Sequence, residues 1–338
     1  MIVDLDRDAL SRYRSDYAEP ADFDEFWQRT LAAEADAKPD LTIVPVTTGL
    51  RGIEVFDVTF AGFGGHPVRG WLRLPRPPRP PRPPRPRRGR LPAVVQFHGY
   101  GSGRGRPIDD LLWSAAGYAH LIMDTRGQGG GYAGGVTPDP AGSGPSQPGF
   151  LTRGIEDKHT YYYRRVFTDA VAAVRAIRGA EFIDPERVAV VGASQGGGIA
   201  LAAAGLVPDL AAVYAQAPFL CDIRRATLIT DAEPYAEIGR YLAAHRGFVA
   251  EAFATLAYFD GIAFARRATA PAWFSTGLMD NICPPSTAFG AFHAYAGPKQ
   301  IQVWDYNGHE AGGSDDLELV LSAFEPLFGV TRTESEDK

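Results

Sequence analysis

Ser194 stands in the pentapeptide Gly192-Ala193-Ser194-Gln195-Gly196, between the apolar run Val188–Val191 and a run of small residues. The pattern is G-x-S-x-G, which places a serine on a sharp corner between a strand and a helix. Glycines two before and two after are required if a Cβ there would strike the neighbouring strand or helix. A serine hydroxyl is a weak nucleophile until an imidazole takes its proton and a carboxylate orients that imidazole. His309, in Asn307-Gly308-His309-Glu310, and Asp280, in Gly277-Leu278-Met279-Asp280-Asn281, are the candidates for these two roles. The chemistry indicated is acyl transfer through a covalent serine intermediate. Its developing oxyanion needs two N–H donors: the N–H of Gln195, expected to act through its backbone rather than its amide, and the N–H of Tyr100. The alternative for the pentapeptide is an ordinary βα turn. Asp124 and Asp305 are rival carboxylates, Glu310 reads as a supporting or surface carboxylate, and His98 suits an oxyanion-side loop. The remaining five of the seven histidines, His66, His120, His159, His245 and His293, read as structural or surface groups.

Such groups need a scaffold that brings loops together. Apolar runs predict strands at 43–46, 54–60 and 68–74, with a Gly62-Phe63-Gly64-Gly65 turn between the last two. Further strands are predicted at 93–97, 120–124, 188–191, 211–215, 272–275 and 301–306. Helices are expected at 108–116, 163–178 and from Gln195 onward. This alternation argues for an α/β fold with a doubly wound, mostly parallel sheet, whose reactive loops lie beyond the carboxyl ends of the strands. The order Ser194, Asp280, His309 along the chain is that of an α/β-hydrolase.

The rest of the chain is read as one such domain over 1–330 with additions. Residues 1–40 form an N-terminal helical arm, in which Asp22 caps a helix bearing Phe23, Phe26, Trp27 and Leu31, with Glu25 at the capping-box position. Residues 75–90 hold seven arginines and eight prolines in sixteen positions, so they can be neither helix nor central strand. Polyproline II is expected there: a solvated loop, or a docking site for a module that reads PxxP or for an anionic surface. Residues 126–153 form a long loop expected to serve a site or an interface. Residues 218–267 are a mainly helical insertion able to roof the site, and 331–338 are a polar tail. The chain has 338 residues, is 45% hydrophobic and carries a net charge of −6, which argues against general nucleic-acid binding. No run long enough to span a membrane and no secretory signal are read, so a cytoplasmic location is expected. Cys221 and Cys283 lack metal-ligand spacing.

With these residues in view, the chain resembles the acetyl xylan esterase / cephalosporin C deacetylase family. The resemblance rests on His98-Gly99-Tyr100, RGQG at 126–129, SQGG at 194–197, GLMDNICPPS at 277–286 and NGHE at 307–310. It extends to FDEFW at 23–27, TYYYRRVFTDAV at 160–171, FLCDIRRA at 219–226, PYAEI at 234–238 and YFDGIAFARR at 258–267. The resemblance implies an α/β-hydrolase that removes acetyl groups from small acetylated carbohydrates and cephalosporin C, without metal or cofactor, often as a cytoplasmic homohexamer. Carried over by position, Ser194 is the nucleophile, Asp280 and His309 are its partners, and the N–H groups of Tyr100 and Gln195 form the oxyanion hole, with Tyr100 also touching substrate. The alternatives are a carboxylesterase or prolyl-oligopeptidase-like hydrolase of other acyl specificity, and a non-catalytic interaction protein that uses the Arg/Pro segment.

Overall fold

A computed structural model describes residues 3–34, 41–76, 89–142, 144 and 146–329. The core of the Arg/Pro segment, the end of the N-terminal arm and the polar tail lie outside the described residues. A nine-stranded sheet runs in the order β1-β2-β3-β5-β4-β6-β7-β8-β9. The strands are β1 Thr42–Val46, β2 Ile53–Ala61, β3 Pro67–Pro75, β4 Leu91–Phe97, β5 Ala119–Met123, β6 Ile183–Ala193, β7 Ala212–Gln216, β8 Ala272–Gly277 and β9 Lys299–Trp304. Strands β1 to β3 pair antiparallel, β3 joins β5 antiparallel, and from β5 through β9 all pairings are parallel. All nine predicted strands are present, because each is an apolar run bounded by turn residues.

The central strands alternate between two cores. On β4, Ala93, Val95 and Phe97 face one core and Val94 the other; on β6, Val188 and Val190 oppose Ala189 and Val191. Helices cover both faces, as a parallel sheet requires. They are α1 Arg7–Arg12, α2 Phe23–Ala32, α3 Leu112–Ala115, α4 Tyr162–Arg178, α5 Gln195–Leu206, α6 Ile223–Ile229, α7 Tyr235–Ala244, α8 Val249–Leu256, α9 Gly261–Ala265, α10 Pro285–Ala294 and α11 Ser314–Phe328. The larger core takes Phe23 and Trp27 of α2, Val166 and Phe167 of α4, Ile199 and Leu201 of α5 and Phe264 of α9. The smaller takes Trp113 of α3 with Val320, Phe324 and Phe328 of α11, a helix outside the sequence expectations.

Three local expectations are corrected. The helix expected over 108–116 is a single turn, Leu112–Ala115, since Asp110 takes a positive φ of 50° and breaks it. Asp22 does precede α2, but its carboxylate makes no cap bond; it receives Lys158 Nζ at 2.7 Å and the Tyr258 hydroxyl. Glu25 pairs with Arg29 one turn on instead of closing a capping box, so α2 is held by its buried aromatic stripe. Third, Arg246–Ala265 does have the length and apolar content of a membrane span. It is broken into a 3₁₀ turn, α8, a second 3₁₀ turn and α9, and Ala252, Leu256, Phe259, Ile262 and Phe264 are buried in the larger core.

The 126–153 loop is anchored from below by charge. The Arg126 guanidinium meets Asp169 of α4 at 2.5 and 2.6 Å, with both side chains fully buried. Arg165 holds Asp139 at 2.8 and 3.0 Å. Burial pushes the Asp169 carboxyl up, against the pull of the guanidinium beside it.

Candidate active site

The end of β6 turns into α5 at Ser194, which takes φ 57°, ψ −122° and sits at the N-cap. That is a strained conformation for a residue with a Cβ, and it lifts the side chain clear of the sheet. The turn is possible because two positions lack a Cβ. One added at Gly192 would stand 2.2 Å from the Gly196 carbonyl carbon, and one at Gly196 would stand 2.1 Å from the Phe97 carbonyl oxygen. Both obstacles are backbone and cannot swing away. Gly196→Ala is therefore expected to yield little soluble folded protein, or to lower the thermal midpoint by more than about 5 °C, read by circular dichroism.

Asp280 and His309 arrive from the ends of β8 and β9. Asp280 is fully buried; one carboxylate oxygen accepts the N–H groups of Ile282 at 2.8 Å and Cys283 at 2.9 Å. Its other oxygen meets His309 Nδ1 at 2.9 Å. This bond orients the ring, and among the described residues no hydrogen bond engages His309 Nε2. Ser194 and His309 both line one cavity of about 680 Å³, together with Tyr100, Ser102, Tyr132, Gln216, Glu237 and Ile282. The structure thus gathers Ser194, His309 and Tyr100 on one wall system, with Asp280 directly behind His309.

The rival groups are occupied elsewhere. Asp124 is buried and accepts the N–H groups of Arg104, Val136 and Thr137, pinning the long loop. Asp305 pairs with Arg7 at 2.6 Å on the surface. Glu310 does line the cavity, and its carboxylate accepts Asn307 Nδ2 and the Gly308 N–H, bracing the loop that carries His309. His66, His98, His120, His159, His245 and His293 are all absent from the cavity wall.

Two N–H groups are open beside the serine. Among the described residues, neither the Tyr100 nor the Gln195 N–H has an acceptor, and the latter begins α5, whose N-terminal end favours a negative charge. The Tyr100 side chain is tied down: its hydroxyl contacts the Glu237 carboxylate at 2.7 and 2.8 Å and accepts the Phe150 N–H at 2.8 Å. Glu237 also takes the Leu151 N–H at 3.2 Å, so the loop carrying Tyr100, the long loop and α7 meet at one point. Burial raises the Glu237 carboxyl. The amide of Gln195, expected to be idle, is fully buried and hydrogen-bonded on both atoms.

Sequence reasoning missed Gln128, Glu237 and Cys283. Gln128 stands in a Gly-rich run just past a strand, and that position is the signal that could have marked it. The Cys283 thiol lies at the back of the site, beside Asp280 and His309. It is no rival nucleophile, because burial pushes it well above its ordinary value and thus keeps it a thiol. Asp280, Cys283 and His309 bring possible ligand atoms within 4.8 Å of one another. Both Asp280 oxygens and His309 Nδ1 are already spent on the hydrogen bonds above, so the donor set is that of a hydrogen-bonded relay rather than of a cation cage.

Known proteins share this arrangement of sheet and loops. The chain is 35% identical to the structure of an acetyl xylan esterase from Paenibacillus sp. R4, with TM-score 0.85 over 95% of this chain and 99% of that one. It is 30% identical to acetyl xylan esterase 1 from Thermoanaerobacterium sp. JW/SL YS485, with TM-score 0.83 over 97% and 100%. An acylaminoacyl peptidase of Pyrococcus horikoshii, 17% identical with TM-score 0.59 over 85% and 44%, shares the α/β-hydrolase fold alone. Acetyl esterase Axe7A of Xylanibacter ruminicola is 27% identical over 294 residues, which are 86% of this chain and 63% of that protein. The profile of the acetyl xylan esterase family, AXE1, matches residues 1–321, and the chain belongs to that family.

Proposed function

We propose that the protein is a serine O-acetylesterase in which Ser194, His309 and Asp280 act as a triad. The observation that carries the reading is the His309–Asp280 bond placed beside a strained elbow serine in one cavity. His309 takes the Ser194 proton as the hydroxyl attacks the acetyl carbonyl, and the Tyr100 and Gln195 N–H groups receive the oxyanion. His309 then protonates the departing alcohol, and water releases acetate from Ser194 by the reverse path. Cytoplasmic location and homohexameric assembly remain part of the proposal by resemblance to the family.

The cavity mouth favours a neutral, hydroxyl-rich leaving group. Glu310 and the Glu233–Arg240 ion pair line it, while the Glu237 carboxylate is turned to Tyr100 and Leu151. Carboxylates accept sugar hydroxyls and repel anions. Tyr132, 96% exposed at the rim, offers an aromatic face to a sugar ring. Acetylated xylo-oligosaccharides are therefore placed ahead of cephalosporin C, whose carboxylates would meet this rim. On 4-nitrophenyl esters, kcat/KM should be highest for acetate and fall by about tenfold or more by butanoate. A rise from acetate to octanoate would replace the deacetylase reading with that of a longer-chain carboxylesterase.

A further inference from the structure

We infer that the buried amides of Gln128 and Gln195 form a positioning device that holds the Tyr100 N–H in place, an inference that rests on the proposed oxyanion role of that N–H. Both residues are fully buried. Gln195 Nε2 donates to the His98 carbonyl at 3.2 Å, and the Gly101 N–H donates to Gln128 Oε1 at 2.7 Å. His98 and Gly101 are the two flanks of the turn that presents Tyr100.

The orientation of both amides is forced. A carbonyl only accepts, so the Gln195 atom facing His98 must be nitrogen; an N–H only donates, so the Gln128 atom facing Gly101 must be oxygen. The remaining atoms then match: Gln128 Nε2 donates to Gln195 Oε1 at 2.8 Å, and Gln195 Nε2 donates to Gln128 Oε1 at 3.2 Å. Tyr163 fills the second acceptor site on Gln195 Oε1 at 2.8 Å, and Gln128 Nε2 reaches the Tyr162 hydroxyl at 3.1 Å. Every donor and acceptor of the pair is used. A network satisfied in this way admits one geometry, because a flip of either amide sets like against like in a low-dielectric interior.

The nucleophile's own neighbour thus reaches across and holds the far side of the oxyanion hole. Gln195 supplies one donor from its backbone and steadies the other with its side chain. Neither side chain lines the cavity, so both act through Tyr100 and not on substrate.

The test uses the full chain with Gln128→Met, Gln195→Met and the double variant, assayed on 4-nitrophenyl acetate with active sites counted by a fluorophosphonate. We expect kcat per labelled site to fall roughly 10- to 100-fold, less than the loss on deleting an oxyanion donor outright, with KM within about threefold. The double variant should be no worse than the poorer single one, since the pair acts as a unit. Gln128→Glu adds a readout that a packing role would not move. Its neutral carboxyl can still accept from Gly101 and donate to Gln195, whereas its ionised form sets oxygen against Gln195 Oε1. Its kcat relative to wild type should therefore be several-fold higher at pH 5 than at pH 8. A folded methionine variant with kcat per site within threefold of wild type overturns the inference. If both methionine variants fail to fold, a pH-independent Gln128→Glu ratio overturns it. A wild-type protein that neither labels nor hydrolyses any ester would instead overturn the esterase reading itself.

Discussion

Replacing Ser194 with alanine is expected to lower kcat on 4-nitrophenyl acetate by roughly 10⁴- to 10⁶-fold, with no loss of folded protein. The hydroxyl is the atom that would bond to the acetyl carbon, and no neighbour can stand in for it. Cys283 lies beside Asp280 and His309, but it is fully buried, and burial pushes its thiol well above its ordinary value. The backbone strain at Ser194 belongs to φ 57° and is carried equally by alanine, so the elbow should survive the change. Asp280→Asn should cost about 10⁴-fold for a different reason: an amide can present its N–H to His309 Nδ1 and so select the wrong tautomer of the ring. A steady-state assay, with circular dichroism as a control for folding, reads both. A Ser194→Ala protein retaining more than a hundredth of wild-type kcat would remove the serine mechanism.

The second large effect concerns stability. Asp169→Ala should cost about 3–5 kcal/mol, seen as a drop of about 1 M in the urea midpoint. Asp169 takes two buried bonds from the Arg126 guanidinium and one, partly buried, from the Phe63 N–H at 2.9 Å. Its removal leaves a cation buried, with Asp139 3.8 Å away as the nearest carboxylate. The apolar double variant Arg126→Met/Asp169→Leu should be less damaging than Asp169→Ala alone, because no lone charge then remains inside. Equal losses from the two would show that packing, and not the stranded charge, sets the cost. Since Arg126 opens the loop that delivers Tyr132 and Gly149 to the cavity, Asp169→Ala should also lower acetate hydrolysis well below the unfolding range.

The strand plan was legible in the sequence because apolar periodicity and Gly-rich turns are local signals. Val188–Val191 running into G-x-S-x-G can hardly be anything but a buried strand and a tight corner. Helix ends were read less well. Asp22 has the type and position of a cap, yet a lysine 136 residues away took its carboxylate. The helix expected to begin at Ile108 shrank to one turn for a local reason: the Arg106 N–H donates to the Asp109 carboxylate at 2.7 Å, closing a turn that competes with it.

The site divides along the same line. Residue types and chain order were enough to single out Ser194, Asp280, His309, Tyr100 and Gln195, because each sits just past a strand where the fold places its loops. What the chain does with amides and carboxylates inside the protein was decided by tertiary structure alone. Gln128, Gln195 and Tyr163 are 67 and 32 residues apart along the chain, yet their polar atoms meet within 3 Å. Glu237 reads in sequence as one more charged residue on an amphipathic helix, and only its fold over the cavity sets it against Tyr100. A hydrogen bond between distant segments leaves no periodicity to read. It exists because burial removes water as the alternative partner, and burial is a property of the folded chain.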